Sequence, residues 1–202
     1  MFSEEDGIRA VRAARSIVDA HVHGRGPPPL DLPESFSSPG GVFTTIKTHP
    51  GDDLRGCIGI PEPIMSLKEA LVRSAMSAAT EDPRFRRMTV AELDRVVVEV
   101  TLLTPPELVP VDRPEELLEK VRIGVHGLIA IRGGARGLLL PQVPVEQGWD
   151  TEEFLRHTCW KAGLPMEAWM DGSTRFQWFT GQVFAEVSPR GEVEAKPLSD
   201  GC

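Results

Sequence analysis

The sequence has few cysteines, no long apolar run and no excess of basic charge. Its three cysteines, Cys57, Cys159 and Cys202, are too few and too scattered for a disulfide framework, and their odd number is typical of a reducing compartment. No stretch reaches the roughly 18 apolar residues that a membrane-spanning helix needs. The start of the chain, residues 3–6, is acidic, whereas a secretory signal would be basic and then hydrophobic. We therefore expect a cytoplasmic protein without a membrane partner.

The charge balance argues against nucleic acid as a partner. Acidic side chains number 30 against 22 basic ones, which gives a formal net charge of -8. Such a chain has no general basic surface that would attract a phosphate backbone. Its length of 202 residues, with 41% hydrophobic and 26% charged side chains, is that of an ordinary globular protein with a sizeable core.

Several familiar catalytic patterns are also missing from the sequence. It has no Ser/His/Asp set, no phosphate-binding P-loop, no dinucleotide fingerprint and no pair of carboxylates at acid/base spacing. His157 and Cys159 form the one close pair of potential metal ligands, and they lack the paired spacings of zinc sites. Residues two apart on a helix do not face each other. We therefore predict neither a metal nor a cofactor.

Hydrophobic periodicity, capping boxes and turn residues predict a mixture of helices and strands. The predicted helices cover residues 4–23, 66–81, a short stretch from 89, 112–121 and 150–163. The predicted strands cover residues 41–48, 54–59, 95–104, 127–132, 136–140 and 176–187, with prolines at 141 and 144 breaking the chain. Because two neighbouring strand pairs read as hairpins, we predict an α+β fold with a mostly antiparallel sheet covered by helices.

The segment Leu54-Arg55-Gly56-Cys57-Ile58-Gly59 is the strongest candidate for a functional site. It places a thiol two residues from a fixed positive charge, and its two glycines leave room for a ligand near the backbone. A structural interpretation also fits, in which Cys57 is a small buried hydrophobe and the glycines mark a bulge. The pattern leaves both interpretations open.

Neighbouring residues extend the candidate site. If the strands of the first hairpin pair, Thr45, Lys47 and Arg55 share a face near Cys57, although the register cannot be fixed from the sequence. Arg84, just past a predicted helix end, is placed to complete a clamp around an anion. We therefore predict ligand-binding roles for these side chains and for the two glycines of the segment.

Six segments, in this order along nearly the whole chain, resemble the AMMECR-type family, the relatives of the human AMME-syndrome candidate protein in archaea and bacteria. They are residues 41–43 (GVF), 54–59 (LRGCIG), 82–85 (DPRF), 138–143 (LLLPQV), 146–150 (EQGWD) and 157–165 (HTCWKAGLP). The resemblance implies a single AMMECR-type domain over residues 1–202. It also implies a cytosolic α+β fold with a larger and a smaller subdomain, and a cleft lined by the Arg-Gly-Cys segment.

The resemblance implies no particular reaction. It does imply partners, because bacterial and archaeal members look like components of a set with a Memo-type protein, whose fold resembles extradiol dioxygenases, and a radical-SAM enzyme. His126 looks like a natural base for Cys57, yet relatives carry other residues at the matching position, which puts such a dyad in doubt.

Two classes of function therefore remain. The first is a binding or accessory protein that holds a small anionic ligand or a partner protein, with Arg55 as the anchor. The second is an enzyme that uses Cys57 as a nucleophile or acid while Arg55 or Lys47 lowers its pKa or holds an anionic substrate. Trp149 and other tryptophans of the chain fit either class, as interface anchors or as core residues.

Overall fold

The computed structural model describes residues 2–196, within which five α-helices and nine strands form. The helices are α1 (Glu4–Val22), α2 (Leu67–Thr80), α3 (Leu117–Lys120), α4 (Gln142–Gln147) and α5 (Thr151–Lys161). The strands are β1 (Val42–Thr48), β2 (Leu54–Ile60), β3 (Val96–Leu103), β4 (Glu107–Leu108), β5 (Gly127–Arg132), β6 (Ala135–Leu139), β7 (Arg175–Phe179), β8 (Gly181–Glu186) and β9 (Val193–Lys196). Cys202 lies outside the described residues.

These elements form two compact units, each with its own sheet. The first unit consists of the chain up to Thr104 and the chain from Gln182 onward, and it contains a five-stranded sheet of order β2-β1-β3-β8-β9. The second unit, Pro105–Gly181, contains a four-stranded sheet of order β4-β7-β5-β6. Both sheets are antiparallel, and helices pack on each. The predicted α+β class is therefore confirmed.

In the first unit, α1 and α2 bury their apolar faces against one side of the sheet. The central strand β3 is buried along its whole length, as its run of valines and leucines predicts. Residues Ala10, Ala14 and Ile17 of α1 are fully buried in the same core. Small side chains on α2 let its backbone approach the sheet closely, which places the end of α2 beside β2.

Capping boxes mark the helix starts as predicted. The Ser66 hydroxyl accepts a hydrogen bond from the Glu69 N–H (3.3 Å), and the Glu69 carboxylate accepts one from the Ser66 N–H (3.2 Å). The same reciprocal pair forms between Asp150 and Glu153 at the start of α5. The box at Thr89 opens a six-residue 3-10 helix, Val90–Arg95, in place of the short α-helix predicted there.

Three further predictions along the chain are wrong. Residues 176–187 form two strands in different sheets, because the chain leaves the second unit between β7 and β8. The helix predicted over 112–121 is reduced to a 3-10 turn, Pro114–Glu116, followed by the single turn of α3. Pro144 does not break the chain, because it lies in the first turn of α4, where a missing N–H leaves no helical hydrogen bond unmade.

Candidate binding site at the edge of the first sheet

The first hairpin brings Thr45 and Cys57 together. In the register of β1 and β2, Thr45 lies opposite Cys57, and its hydroxyl donates a hydrogen bond to the Cys57 sulfur (3.4 Å). On its other side Thr45 lies opposite Glu99 of β3, so one row crosses three strands. Cys57 also takes part in an interaction outside this row. For this reason we do not treat its sulfur as a free, reactive thiol.

Arg55 is the extra residue of a β-bulge. Ile46 lies opposite Gly56 while Lys47 lies opposite Leu54, so Arg55 has no partner across the strand pair. Its side chain is buried, and its guanidinium donates hydrogen bonds to the Glu92 carboxylate (2.8 Å) and to a backbone carbonyl of the following turn (3.0 Å). The cation predicted to anchor an anion thus already has a carboxylate partner.

The contact with Arg55 helps to lower the pKa of the Glu92 carboxyl. Burial raises its pKa, but the hydrogen bond from Arg55 and two from Thr89 outweigh burial and lower the pKa to about 2. Glu92 therefore stays ionised at neutral pH and holds the Arg55 guanidinium in place.

Lys47 is also paired with carboxylates. Its ammonium lies 3.5 Å from Glu99 Oε2 and 3.9 Å from Asp52 Oδ1. Glu99 is buried on β3, and burial raises its pKa against the opposing effect of the Lys47 charge. A ligand anion at this position would have to compete with Glu99 for the same ammonium.

A clasp formed by Asp82 and Arg84 closes the open side of β2 at Cys57. Because β2 is an edge strand, the Cys57 peptide groups that point away from β1 have no strand partner. Asp82 accepts the Cys57 N–H (2.8 Å), and Arg84 Nη2 donates to the Cys57 carbonyl oxygen (3.3 Å). The clasp takes the place of a further strand along this part of the edge.

Asp82 and Arg84 also hold each other. The buried Asp82 carboxylate accepts from Arg84 Nε (3.0 Å), Arg84 Nη2 (2.9 Å) and the Arg84 backbone N–H (3.0 Å). The side-chain hydrogen bond from Arg84 is the main reason that the Asp82 pKa falls to about 2. Asp82 is not among the predicted site residues, although an aspartate that follows a helix and accepts from the N–H two residues on is a known turn pattern.

An aromatic ring and exposed arginines complete the turn. The Phe85 ring lies near two guanidiniums, with its centroid 5.8 Å from Arg55 Cζ and 5.6 Å from Arg84 Cζ. The Arg84 side chain is 55% exposed and that of Arg86 is 80% exposed. Arg87 is exposed as well. We call Arg84, Arg86 and Arg87 the arginine turn.

The two glycines of the segment have packing roles. A Cβ on Gly56 would lie 2.1 Å from the Ala78 carbonyl oxygen at the end of α2. A Cβ on Gly59 would lie 2.1 Å from the ring of Phe43, its partner across the hairpin. Protein atoms therefore occupy the space that these glycines leave. Their predicted role toward a ligand stays a prediction.

The predicted histidines lie in the second unit. His126 is buried beside Trp178, with ring centroids 4.6 Å apart, and its Nδ1 accepts the Arg122 N–H (3.1 Å). Burial lowers the His126 pKa. His157 stacks on Trp149 at 3.9 Å. Both rings are thus held by packing contacts of their own unit.

Cys159 and two tryptophans of the second unit differ in how far they are exposed to solvent. Cys159 is fully buried, and burial raises the pKa of its thiol to about 11. Trp169 is buried in the core, whereas Trp160 is 64% exposed on α5. One tryptophan thus seals a core and another is open to contacts.

Within 2–196, no group of three or more His, Cys, Asp or Glu side chains is placed to hold a metal ion. No helix in the same range combines the length and apolar character needed to cross a membrane.

The fold and this site define an α+β protein of two units, with a clasped sheet edge and a cationic turn. The AMMECR1 family model matches residues 11–184, and the chain belongs to that family. It is 53% identical to protein MJ0810 of Methanocaldococcus jannaschii over 198 residues, with 98% of each chain covered. The crystal structure of the uncharacterized protein PH0010 from Pyrococcus horikoshii is similar at a TM-score of 0.75 and 46% identity, covering 97% of this chain and 98% of that one.

Proposed function

We propose that this protein is a binding or accessory protein, and that its arginine turn captures a carboxylate-rich segment of a partner protein beside β2. The observation that carries the proposal is the geometry of Arg84. Its guanidinium is held by Asp82 and by the Cys57 carbonyl, yet more than half of the side chain stays exposed. A cation that is already fixed loses little conformational entropy when it binds an anion.

The charges around the turn support an acidic occupant. The cluster contains four arginines and two carboxylates. Arg55 and Arg86 pair with Glu92, Arg84 pairs with Asp82, and the exposed Arg87 follows them in the chain. This cluster is net positive in a protein whose overall charge is -8. A localised cationic patch on an acidic protein favours a partner of complementary charge at that patch.

Arginine geometry and the Phe85 ring favour a peptide carboxylate over a diffuse counter-ion. A guanidinium donates two parallel hydrogen bonds to one carboxylate. Nε and Nη2 of Arg84 already bond to Asp82 in this way. The exposed Arg86 and Arg87 are therefore the arginines that offer this geometry to acidic side chains of a partner segment. The half-buried Phe85 ring offers an apolar surface close to the Arg84 charge. The Memo-type and radical-SAM proteins implied by the family resemblance are the partners to test first.

The contacts of Cys57 do not favour the enzyme alternative. The sulfur accepts a hydrogen bond from Thr45, and the peptide group is held by the clasp. That alternative needs Arg55 or Lys47 to lower the thiol pKa or to hold a substrate, and the two cations are paired with Glu92 and Glu99. We therefore place binding, and not nucleophilic catalysis, at this edge.

The proposal is tested with fluorescein-labelled hexaglutamate, followed by fluorescence anisotropy at low salt. We expect saturable binding that weakens as salt is added. The triple variant Arg84→Gln/Arg86→Gln/Arg87→Gln should bind at least roughly tenfold more weakly, because each exposed contact is worth up to about 1 kcal/mol. A parallel titration with sodium glutarate reports whether a small dicarboxylate suffices.

A charge-matched variant supplies the control. Arg25, Lys68 and Arg73 are exposed in the same unit and lie outside the arginine turn. Changing all three to glutamine alters the net charge equally and should change hexaglutamate affinity by less than about twofold. Equal losses in the two triple variants would overturn the proposal. Glutarate binding as tight as hexaglutamate binding would replace the partner segment with a small anion.

A further inference from the structure

The second unit contains a cavity that the arginine turn does not use. Its volume is about 310 Å³, at the lower end of the range for small-molecule sites. The floor is apolar and well ordered by packing, since Val109, Leu117, Trp169 and Phe176 line it and are all buried. All of the lining residues belong to the second unit.

A buried hydroxyl lies in the wall of this cavity without a hydrogen-bond partner. Thr174 lines the cavity and is 8% exposed, and its Oγ1 makes no hydrogen bond within the described chain. Its backbone N–H donates to the Asp171 carbonyl oxygen (2.8 Å), so the residue is fixed by its main chain. Buried hydroxyls nearly always have partners, and Thr174 lines the cavity, so rotation of its side chain would bring this unused hydrogen bond to a ligand there.

The rim of the cavity carries a cation that is not neutralised. Arg175, the first residue of β7, lines the cavity and is exposed, and residues 2–196 show no ion pair to it. Arg113 also lines the cavity, but its guanidinium lies 3.7 Å from the Glu116 carboxylate, and Asp112 adds a negative charge at the rim. The open positive charge is therefore that of Arg175.

We propose that this cavity binds a small amphipathic carboxylate. The aromatic or branched apolar body of the ligand occupies the floor against Trp169 and Phe176. Its carboxylate meets the Arg175 guanidinium at the rim, and a hydrogen bond from Thr174 fixes its orientation. This site is separate from the arginine turn and does not rest on the function proposed for that turn.

The probe for the test is 4-(trifluoromethyl)phenylacetate, titrated into the full-length protein and followed by fluorine NMR. The neutral analogue 4-(trifluoromethyl)phenylacetamide has the same apolar body without the charge. We expect saturable binding of both, with the carboxylate roughly tenfold tighter, because a partly desolvated charge-assisted pair adds to the apolar contact.

Arg175→Gln should erase the preference for the carboxylate and leave the binding of the amide unchanged. Arg136→Gln removes an exposed arginine of the same unit that does not line the cavity, and it should keep the preference. If both variants behave alike, the preference comes from general charge and the assignment of Arg175 is wrong.

Two further variants test the cavity itself. Thr174→Val should weaken both probes roughly five- to tenfold without lowering the thermal midpoint, because the hydroxyl has no partner to lose inside the protein. Gly172 lines the cavity, and a Cβ built on it meets no heavy atom within 4 Å, so Gly172→Phe should fill the space and abolish binding. Lack of saturable binding by the wild-type protein, or unchanged binding by Gly172→Phe, would overturn the proposal.

Discussion

The edge of the first sheet and the cavity of the second unit differ in whether their polar groups have partners inside the protein. At the edge, the Cys57 peptide and the Arg55 guanidinium have partners inside the protein. In the cavity wall, the Thr174 hydroxyl and the Arg175 guanidinium have none within the described chain. Two groups that stand out in the sequence thus have their partners inside the protein, whereas two groups that do not stand out have no partner within residues 2–196.

The largest effect should follow from filling the space at Gly56. Gly56→Ala forces a Cβ to within 2.1 Å of the Ala78 carbonyl oxygen, so the end of α2 has to move away from β2. We expect the free energy of unfolding in urea to fall by about 3 kcal/mol or more. Gly134→Ala is the control, because its Cβ meets no heavy atom within 4 Å. Equal stability of the two variants would show that Gly56 is not there for packing.

Removing the centre of the clasp should cost nearly as much. Asp82→Ala leaves the Cys57 N–H without its acceptor and releases Arg84, and we expect a loss of about 3 kcal/mol in unfolding free energy. The side chain of Asp31 is 91% exposed, so Asp31→Ala should change stability by less than about 0.5 kcal/mol. If Asp82→Ala and Asp31→Ala lower the free energy of unfolding equally, the role assigned to the clasp is wrong.

Acid should weaken the clasp in a defined range of pH. The folded pKa of Asp82 is about 2, below the value of about 3.9 of an unfolded aspartate, so its contribution is complete above pH 4. The contribution is lost as the pH falls from about 4 toward 2, and it amounts to about 2 kcal/mol. Urea midpoints at pH 7, 4 and 2.5 measure it. Asp82→Asn should show a correspondingly smaller acid dependence, and an unchanged dependence would remove Asp82 from the explanation.

The smallest effect, with the opposite sign, is expected at the cavity. Thr174→Val replaces a buried hydroxyl without a partner by a methyl group, and it should stabilise the protein by about 1 kcal/mol. Thr158 is the matched control, because its buried hydroxyl donates to the Phe154 carbonyl oxygen (2.6 Å). Thr158→Val should therefore destabilise by about 1 kcal/mol. Two changes of the same sign would contradict the difference between the regions.

The parts of the fold that were predictable from the sequence depend on neighbouring residues. Helix starts follow from reciprocal side-chain bonds over three residues, as between Ser66 and Glu69, and the first hairpin follows from its turn between two β-rich runs. The boundary between β7 and β8 was not predictable, because it depends on which sheet each half of residues 176–187 joins.

The location of the candidate site could be predicted from the sequence, but the hydrogen bonds of its residues could not. The sequence places Thr45 near Cys57 once the strands pair, yet nothing local shows the bulge at Arg55 or the 25 positions that separate Asp82 from the Cys57 N–H it binds. The cavity was not predictable at all, since its walls come from residues 108–117 and 169–176, which meet only in the folded unit. Long-range contacts therefore decide which polar side chains are left for a ligand.

The division of the chain between the units has a consequence for its synthesis. Arg15 of α1 is buried against Glu186 of β8, 171 positions later, with Nε 3.0 Å from Oε1, whereas the second unit is one continuous segment. At roughly 5–20 residues per second, a ribosome takes on the order of 10–30 s to make the intervening chain. During that time Arg15 lacks Glu186, its closest carboxylate partner, and has Asp19 of its own helix nearby (Nη1 to Oδ1 3.9 Å). We therefore expect the nascent second unit to be complete before the first unit closes.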